Sequence, residues 1–521
     1  MKNAKKFAGL LLALIMVFAL AAPTFADDPA TTTKYTITIT PANPGHTFTA
    51  YQVFKGDLSE KGTTATLSNV QWGDNINSAA LIADSDLATA LPALAGKANP
   101  TAADVADALS ATGADANKFA KIAQKHTTGT GTASGAFNTE AKSYTISNLD
   151  AGYYLIVDTT ANLPENDSYS GYILQVVKNI EVIPKGSTPS VVKKVKDIND
   201  STGIETGWQD SADYDIGDRV PFQLTATLGD INPYETYKVV FHDTLSEGLT
   251  LDKDSITVKV ANTTLTTAQF SVVTENLGHT HKDAANAADG DQPFDIVITD
   301  VKALGAKDRD VITVEYTATL NRNAVIGSAG NPNEVYLEYS NNPNAEGTGK
   351  TPKDKVTVFT FKFVVNKTDA SGNPLTGAGF TLYKQNSDGQ YVAVGEEKTG
   401  TNMTTFTWEG IDNGNYKLSE TTTPPGFNTM ADVEFTVTAE HDQTADDPQL
   451  TSLYVPTFVT GPINGDVQTG TLTTTVVNNS GSVLPGTGGI GTTIFYIVGS
   501  VLLVGAAVLL ITKKRVSAEE K

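Results

Sequence analysis

Hydrophobic and polar residues alternate with a period of two in several parts of the chain. Residues 35–40 read YTITIT, and residues 220–227 and 311–320 are further β-branched and aromatic runs. This pattern is typical of strands that bury one face. Residues 79–125 differ, because they are rich in alanine and are divided by Pro92 and Pro100, which predicts a helical insertion.

Turn residues recur between these predicted strands, as at residues 371–374, 388–389 and 412–414. Short strands at this spacing predict a mainly β protein built from immunoglobulin-like β-sandwiches, the first of which carries the helical insertion. Proline and glycine mark a boundary at residues 182–189, and a polar linker covers residues 344–355. The three predicted domains are residues 27–188, 189–350 and 356–480.

Both ends of the chain carry an apolar stretch. Three lysines precede the apolar residues 7–22, and small residues follow near Ala26, so residues 1–26 are predicted to be a signal peptide. Residues 494–511 contain no charged side chain, and a helix over residues 490–512 is long enough to cross a bilayer. The basic residues at the start of the tail, residues 513–521, would stay in the cytoplasm and leave the preceding chain outside the cell.

Composition narrows the possible functions. The net charge of −21 argues against nucleic acid as a partner, and the chain contains no cysteine, so it forms no disulfide. We find no nucleophilic triad, phosphate loop or cofactor fingerprint, so neither a cofactor nor an enzyme activity of its own is expected. His279 and His281 lack a third ligand at a recognisable spacing, so we expect no metal site.

A short motif precedes the apolar C-terminal stretch: Leu484, Pro485, Gly486, Thr487 and Gly488. In this setting it resembles the LPxTG cell-wall sorting signal of Gram-positive surface proteins. The resemblance implies that a sortase cleaves between Thr487 and Gly488 and transfers the threonyl acyl group to an amine. The alternative is an ectodomain held only by its membrane helix.

The third predicted domain resembles the B-type repeat of collagen adhesins. Lys367 lies on its first strand, residues 377–382 read GAGFTL, and residues 414–420 read GNYKLSE before PPGF at residues 424–427. Phe427 stands where the family has tyrosine. In such domains a lysine and an asparagine condense to an isopeptide bond beside a catalytic carboxyl group. The resemblance implies that Lys367 is the nucleophile, Asn478 the electrophile and Glu420 the catalyst. Asn479 is an alternative to Asn478.

Physical chemistry explains why these three residue types belong together in a core. Burial lowers the pKa of a lysine and raises that of a carboxylic acid, so a neutral amine can face a protonated acid. The amine is then the nucleophile, and the acid polarises the amide carbonyl and carries protons while ammonia leaves.

The middle predicted domain resembles the middle domains of pilins, and the three domains together resemble the A and B types of collagen-adhesin fold. Residues 240–249 read VFHDTLSEGL and residues 330–340 read GNPNEVYLEYS. The resemblance implies a triad of Lys193, Asp243 and Asn333. Alternation places Lys193 on the same face as Val191 and Val195, which favours it over Lys194 without excluding the latter.

The first predicted domain lacks one member of such a triad. Asp158 is the last residue of the run GYYLIVD, as Glu420 is the last residue of GNYKLSE, so the two acids occupy corresponding positions. The opening strand, residues 35–40, contains no lysine, and Lys34 lies just ahead of it. We therefore expect no isopeptide bond in this domain.

Lys185 lies at the end of the first predicted domain in the sequence VIPKG. This resembles the YPKN motif of sortase-assembled backbone pilins, although Ile183 and Gly186 depart from it. The resemblance implies that the Lys185 amine attacks the threonyl acyl-sortase of the next subunit, which would link Lys185 to Thr487.

The chain as a whole therefore resembles the major subunit of a covalent Gram-positive pilus, exported and anchored to the cell wall. The implied partners are sortase, other copies of the chain, minor pilins, peptidoglycan and a ligand on a host surface or matrix. The alternative is a wall-anchored adhesin or minor pilin that never polymerises and leaves Lys185 unused. A secreted enzyme, the remaining alternative, has no supporting residues.

Overall fold

A computed structural model describes residues 33–61, 64–171, 173–176, 178–184, 186–275, 277, 290–481 and 490–519. Four of the predicted features lie outside these residues. They are the signal peptide, Lys185, the pair His279 and His281, and the sorting motif from Leu484 to Gly488.

The N-terminal unit contains two sheets. Its strands are β1 (Tyr35–Ile39), β2 (Phe48–Lys61), β3 (Thr64–Trp72), β4 (Thr132–Ala133), β5 (Tyr144–Leu149), β6 (Gly152–Asp158), β7 (Ile173–Val176) and β8 (Ile180–Val182). One sheet has the order β5-β1-β8, and the other has the order β3-β2-β6-β7, with β4 beside β2.

Four short helices cover the outer face of the larger sheet. They are α1 (Ser78–Ile82), α2 (Leu87–Ala90), α3 (Ala102–Ser110) and α4 (Ala116–Lys125), with a 3-10 turn at Pro92–Leu94. One core lies between the two sheets, and a second lies between the larger sheet and the helices. Strand β6 is covered on both faces, so all seven of its residues are buried and its sequence lacks the usual alternation.

The middle unit is a sandwich around one large core. Its strands are β9 (Ser190–Val195), β10 (Ile198–Asn199), β11 (Ile204–Glu205), β12 (Ser211–Asp213), β13 (Arg219–Thr227), β14 (Val239–Leu245), β15 (Leu249–Val260), β16 (Thr263–Thr264), β17 (Ser271–Val273), β18 (Gln292–Ile298), β19 (Val311–Leu320), β20 (Asn331–Ser340), β21 (Thr348–Lys350) and β22 (Asp354–Phe359). One sheet has the order β16-β15-β19-β13-β9. The other has the order β12-β22-β20-β14-β18-β17, with β21 beside β20.

The C-terminal unit is a second sandwich. Its strands are β23 (Phe361–Asp369), β24 (Gly379–Gln385), β25 (Tyr391–Ala393), β26 (Lys398–Thr399), β27 (Thr405–Ile411), β28 (Gly414–Thr422), β29 (Val433–His441), β30 (Leu450–Val455), β31 (Ile463–Asn464) and β32 (Thr471–Asn478). The small sheet has the order β27-β23-β32, in which β23 and β32 are parallel. The large sheet has the order β25-β24-β28-β29-β30-β31, with β26 beside β24.

A long helix follows the sandwiches as α5 (Ile490–Glu519). Within the described chain, Thr493–Lys514 is the one helical stretch long and apolar enough to cross a membrane. Its apolar side chains are exposed, as lipid contact requires. The predicted mainly β fold, with helices inserted in the first unit and an apolar C-terminal helix, is confirmed.

The boundary between the last two units differs from the prediction. We expected a linker at residues 344–355 and a new domain from Val356, but β21 and β22 both pair with β20 of the middle unit. Val356 and Val358 also belong to the middle core, while Phe361 belongs to the next one. The chain therefore passes from the middle unit to the C-terminal unit at Thr360. The sequence does not mark this boundary, because the apolar alternation of β22 continues into β23 without a turn signal.

Candidate functional site

The C-terminal unit brings Lys367 and Asn478 together across its two parallel strands. On β23 and β32, Lys367 pairs with Val476 and Asp369 pairs with Asn478, so the two side chains share one face. Lys367 Nζ lies 2.5 Å from Asn478 Oδ1. Both side chains are buried, so the amine faces the amide carbonyl inside the core.

Glu420 approaches this pair from the opposite sheet, on β28. Its Oε1 accepts a hydrogen bond of 2.7 Å from Asn478 Nδ2 and lies 3.8 Å from Lys367 Nζ. Its Oε2 accepts from the Met430 backbone N–H, which fixes the carboxyl group. The acid, the amide and the amine therefore form one buried contact set.

Burial lowers the pKa of Lys367, although Glu420 acts in the opposite direction. A lower pKa increases the fraction of the neutral amine, which is the nucleophilic form. Asn479, the alternative electrophile, is exposed, and its backbone carbonyl accepts a hydrogen bond from Asn428 N–H. The geometry therefore favours Asn478.

The middle unit brings Lys193, Asp243 and Asn333 together between its two sheets. Lys193 comes from β9, while Asp243 and Asn333 come from the neighbouring strands β14 and β20 of the other sheet. All three side chains are buried. Lys193 Nζ lies 2.5 Å from Asp243 Oδ2.

Burial lowers the pKa of Lys193 to about 8, against the opposing effect of Asp243. Lys194, the alternative, is only half-buried, and it forms an ion pair with Asp210. Lys193 therefore lies on the core face of β9, as the period-two alternation predicts.

Sequence reasoning missed Tyr316, whose hydroxyl lies in the middle of this triad. The hydroxyl is 3.0 Å from Lys193 Nζ, 2.9 Å from Asp243 Oδ2 and 2.8 Å from Asn333 Nδ2. Strand β19 alternates strictly, and Tyr316 falls on its buried face. This alternation was the signal in the sequence that could have identified Tyr316, because a buried tyrosine needs a hydrogen-bond partner for its hydroxyl.

Sequence reasoning also missed a buried lysine at the junction of the middle and C-terminal units. Lys384 Nζ lies 2.7 Å from Asp200 Oδ2, 2.8 Å from Asp215 Oδ2 and 2.5 Å from Asp412 Oδ1. Burial would lower the pKa of Lys384, but Asp412 and Asp215 outweigh it and raise that pKa well above its ordinary value. Lys384 therefore stays charged and is no nucleophile, unlike Lys193 and Lys367.

Replacing Lys384 by methionine should loosen this junction. The change leaves Asp215 and Asp412 buried without their cation, which costs about 3 kcal/mol for a broken buried ion pair. We expect a lower Tm for the C-terminal unit in calorimetry and faster proteolysis near Thr360. Lys398→Met is the matched control, because Lys398 is exposed on the same sheet. Unfolding of Lys384→Met at the wild-type Tm would contradict a stabilising role.

The N-terminal unit holds a buried histidine where the other units hold lysine. His46 Nδ1 lies 2.7 Å from Asp158 Oδ2, and Nε2 lies 3.2 Å from Asp167 Oδ2. Asp158, the counterpart of Glu420 in sequence, thus contacts histidine, while Lys34 pairs with Asp150 at the surface. Among the described residues of this unit we find no lysine beside Asp158.

The His46 contacts should make the N-terminal unit sensitive to alkaline pH. Burial would lower the pKa of His46, but Asp158 and Asp167 outweigh it and raise that pKa to about 9. Because the pKa of His46 is higher in the folded state, its charged form stabilises the folded unit fully at pH values below the unfolded-state pKa of about 6.5. This contribution to stability is lost as the pH rises through about 9. The full contribution is on the order of 3 kcal/mol.

The measurement is the Tm of the N-terminal unit between pH 6 and pH 10, in wild type and in His46→Gln. We expect the two Tm values to differ most near pH 6 and to converge near pH 10. His126→Gln serves as control, since the pair of His126 with Asp84 is less buried. A difference that is independent of pH would exclude the charged histidine as its cause.

The residues on either side of Lys185 lie at the seam between the first two units. Val182 accepts a hydrogen bond from Thr40 N–H in the first unit, and Ser187 Oγ accepts one from Asp230 N–H in the middle unit. A Cβ on Gly186 would lie 3.3 Å from the Tyr169 carbonyl oxygen, so glycine permits the close approach there. Ile183 is 72% exposed, so this segment reaches the surface.

Three protein-family models match separate parts of the chain. The model for Gram-positive pilin backbone subunit 2, Cna-B-like domain, matches residues 216–343. The model for the SpaA prealbumin-like fold domain matches residues 361–449. The model for the LPXTG cell wall anchor motif matches residues 476–517.

A curated relative and solved structures are also similar to this chain. The trypsin-resistant surface T6 protein of Streptococcus pyogenes serotype M6 is 26% identical over 424 residues, which are 67% of this chain and 74% of the relative. The solved structure of the T6 backbone pilin of S. pyogenes serotype M6 superposes with a TM-score of 0.52 at 17% identity, over 88% of this chain and 100% of the other. The full-length major pilin SpaD of Corynebacterium diphtheriae gives a TM-score of 0.45 at 17% identity, over 86% and 98%.

The β-sandwich fold and the anchor motif define a surface protein attached to the Gram-positive cell wall. The chain is homologous to the backbone pilins of Gram-positive pili, which supports a role as a structural major pilin subunit. The proteins that it resembles are structural pilins.

Proposed function

We propose that this backbone pilin is linked into a covalent polymer through Lys185 and Thr487, and that two internal Lys–Asn isopeptide bonds stabilise each subunit. The observation that carries the proposal of internal bonds is the buried set Lys367, Glu420 and Asn478, with the amine 2.5 Å from the amide oxygen. The proposed domains of the mature subunit are residues 27–188, 189–359 and 361–480, with the last boundary at Thr360 in place of the expected residues 350–356.

In the C-terminal unit, the neutral Lys367 amine attacks the Asn478 amide carbon. Glu420 contacts the amide nitrogen at 2.7 Å, so it can pass a proton to that nitrogen as the C–N bond breaks and ammonia leaves. The proton comes from the attacking amine, and the carboxyl group is regenerated. No cofactor or external energy source is required, so the reaction is autocatalytic once the core has formed.

The same reaction is proposed for Lys193 and Asn333, with Asp243 as the catalytic acid. Support comes from burial of all three side chains and from the pKa of about 8 for Lys193. The charged Lys384 provides the contrast, because three carboxylates hold it in the unreactive form.

The position of the bonds suits a protein that carries tension. The chain enters the C-terminal unit through β23 and leaves it through β32, and these adjacent strands carry Lys367 and Asn478. A bond between them would transmit force directly from entry to exit, so the remaining strands would carry little load. Because an isopeptide bond is not reducible, it would supply what disulfides supply in other exported proteins.

Assembly is proposed to use the sorting motif of residues 484–488 and the amine of Lys185. A sortase would cleave between Thr487 and Gly488 and transfer the threonyl group to Lys185 of the next subunit. Support comes from the anchor-motif match and from the exposure of Ile183, two residues before Lys185 in the sequence. Head-to-tail linkage has no closing symmetry, so a linear fibre results.

The proposed partners are sortase, other copies of the chain, minor pilins and peptidoglycan, and a host surface or matrix ligand is proposed for adhesion.

The proposed bond between subunits is tested by tandem mass spectrometry of peptides from purified wild-type fibres. We expect a branched peptide that joins Lys185 to Thr487. A branched peptide that joins Thr487 to a different lysine would show that the acceptor is misassigned, while the sorting motif would still stand.

A further inference from the structure

The two triads differ in the group that contacts the amide nitrogen. In the C-terminal unit, the nitrogen of Asn478 donates to Glu420. In the middle unit, the nitrogen of Asn333 donates to the Tyr316 hydroxyl, which itself lies 2.9 Å from Asp243 Oδ2. Aspartate is one methylene shorter than glutamate, so a hydroxyl group between acid and amide extends its reach.

The Tyr316 ring is held on two sides by aromatic packing. Phe222 stacks on it at 5.4 Å between ring centroids, and Phe294 meets it edge to face at 5.4 Å. Only 2% of Tyr316 is exposed. The hydroxyl is therefore fixed at the reacting atoms before reaction, without competing water.

The protonation state of Tyr316 suits a proton carrier. Burial raises its pKa well above the ordinary value, and the nearby Asp243 carboxylate raises it further. The hydroxyl therefore keeps its proton until an acceptor forms beside it. The amide nitrogen becomes such an acceptor when the carbonyl carbon turns tetrahedral.

We propose that Tyr316 is a catalytic residue of the middle-unit condensation and carries a proton from Asp243 to the leaving nitrogen of Asn333. This inference rests on the proposed bond between Lys193 and Asn333.

The proposed step balances in atoms and charge. The Lys193 Nζ–Asn333 Cγ bond forms, and a proton passes from Nζ to Asp243. Tyr316 gives its proton to Asn333 Nδ2 and takes the one held by Asp243, while the Cγ–Nδ2 bond breaks. Ammonia leaves, and the Tyr316 hydroxyl and the Asp243 carboxylate are regenerated.

The test is Tyr316→Phe in the otherwise intact mature protein, which removes one oxygen and keeps the ring. Intact-mass spectrometry over time counts the ammonia molecules lost. We expect wild type to lose two and Tyr316→Phe to lose one promptly, with the second loss slowed by about 100-fold or more, the usual contribution of a proton-transfer group.

A matched control separates the chemistry of Tyr316 from the general loss of a buried hydroxyl. Tyr339→Phe removes the hydroxyl of another buried tyrosine of this unit, which contacts the Asp167 backbone oxygen and not the triad. This control should lose two ammonia molecules promptly.

The remaining outcomes would each contradict a different part of the proposal. Wild type that loses only one ammonia would remove the proposed middle bond and this inference with it. Tyr316→Phe that loses two as fast as wild type would overturn the role of Tyr316 and leave the triad intact. Equal slowing in Tyr339→Phe, or protease sensitivity of the middle unit in Tyr316→Phe, would overturn it in favour of packing.

Discussion

Lys185→Ala is expected to abolish the ladder of covalent multimers that survives boiling in detergent. The substitution removes the one amine proposed to accept the threonyl group of Thr487, so no bond between subunits can form. Because Val182 and Ser187, on either side of Lys185, are anchored to the two adjoining units, replacement of this one side chain should leave the fold unchanged. The monomer should therefore remain exported, folded and attached to the wall.

The control for this experiment is Lys34→Ala. Lys34 is an exposed lysine of the same unit that pairs with Asp150, and its loss should leave the ladder intact. A full ladder from Lys185→Ala cells would show that another amine accepts the acyl group. Loss of wall attachment along with the ladder would point to failed export or folding.

Glu420→Ala should cause the largest loss of stability. Without the acid the C-terminal bond does not form, and the protein retains one ammonia relative to wild type. The bond closes a separation of 111 residues between Lys367 and Asn478, which contributes on the order of 4 to 5 kcal/mol in the chain-entropy treatment. The buried amine of Lys367 also loses its acid partner, so calorimetry should show a large fall in the Tm of this unit.

Glu397→Ala is the matched control for Glu420→Ala. Glu397 is an exposed glutamate that accepts hydrogen bonds from Thr421 and Thr422, directly beside Glu420 on β28. It should retain full ammonia loss and a Tm close to wild type. If Glu420→Ala lost as much ammonia as wild type, the catalytic role of Glu420 would be refuted.

The sequence predicted the features that follow from local pattern. Alternation located most strands, and it placed Lys193 on the core face and Lys194 outside it. The alanine-rich stretch with Pro92 and Pro100 predicted the helices that cover the first unit. Both signals are read within a few residues, where side-chain direction is set by the element itself.

Contacts between distant residues were beyond this reasoning. The Lys384 cluster depends on how two sandwiches meet, since Lys384 and Asp200 are 184 residues apart. Tyr316 and His46 depend on which strands face each other across a core. Strand β22 was assigned to the following unit because its alternation runs on into β23, and only its pairing with β20 places it in the middle sheet.

Intact-mass spectrometry of the mature protein, expressed alone without sortase, tests the central claim most directly. The account predicts a mass lower than the sequence value by two ammonia molecules, with branched peptides that join Lys367 to Asn478 and Lys193 to Asn333. A mass equal to the sequence value would contradict the account, because the buried triads would then be only hydrogen-bonded groups.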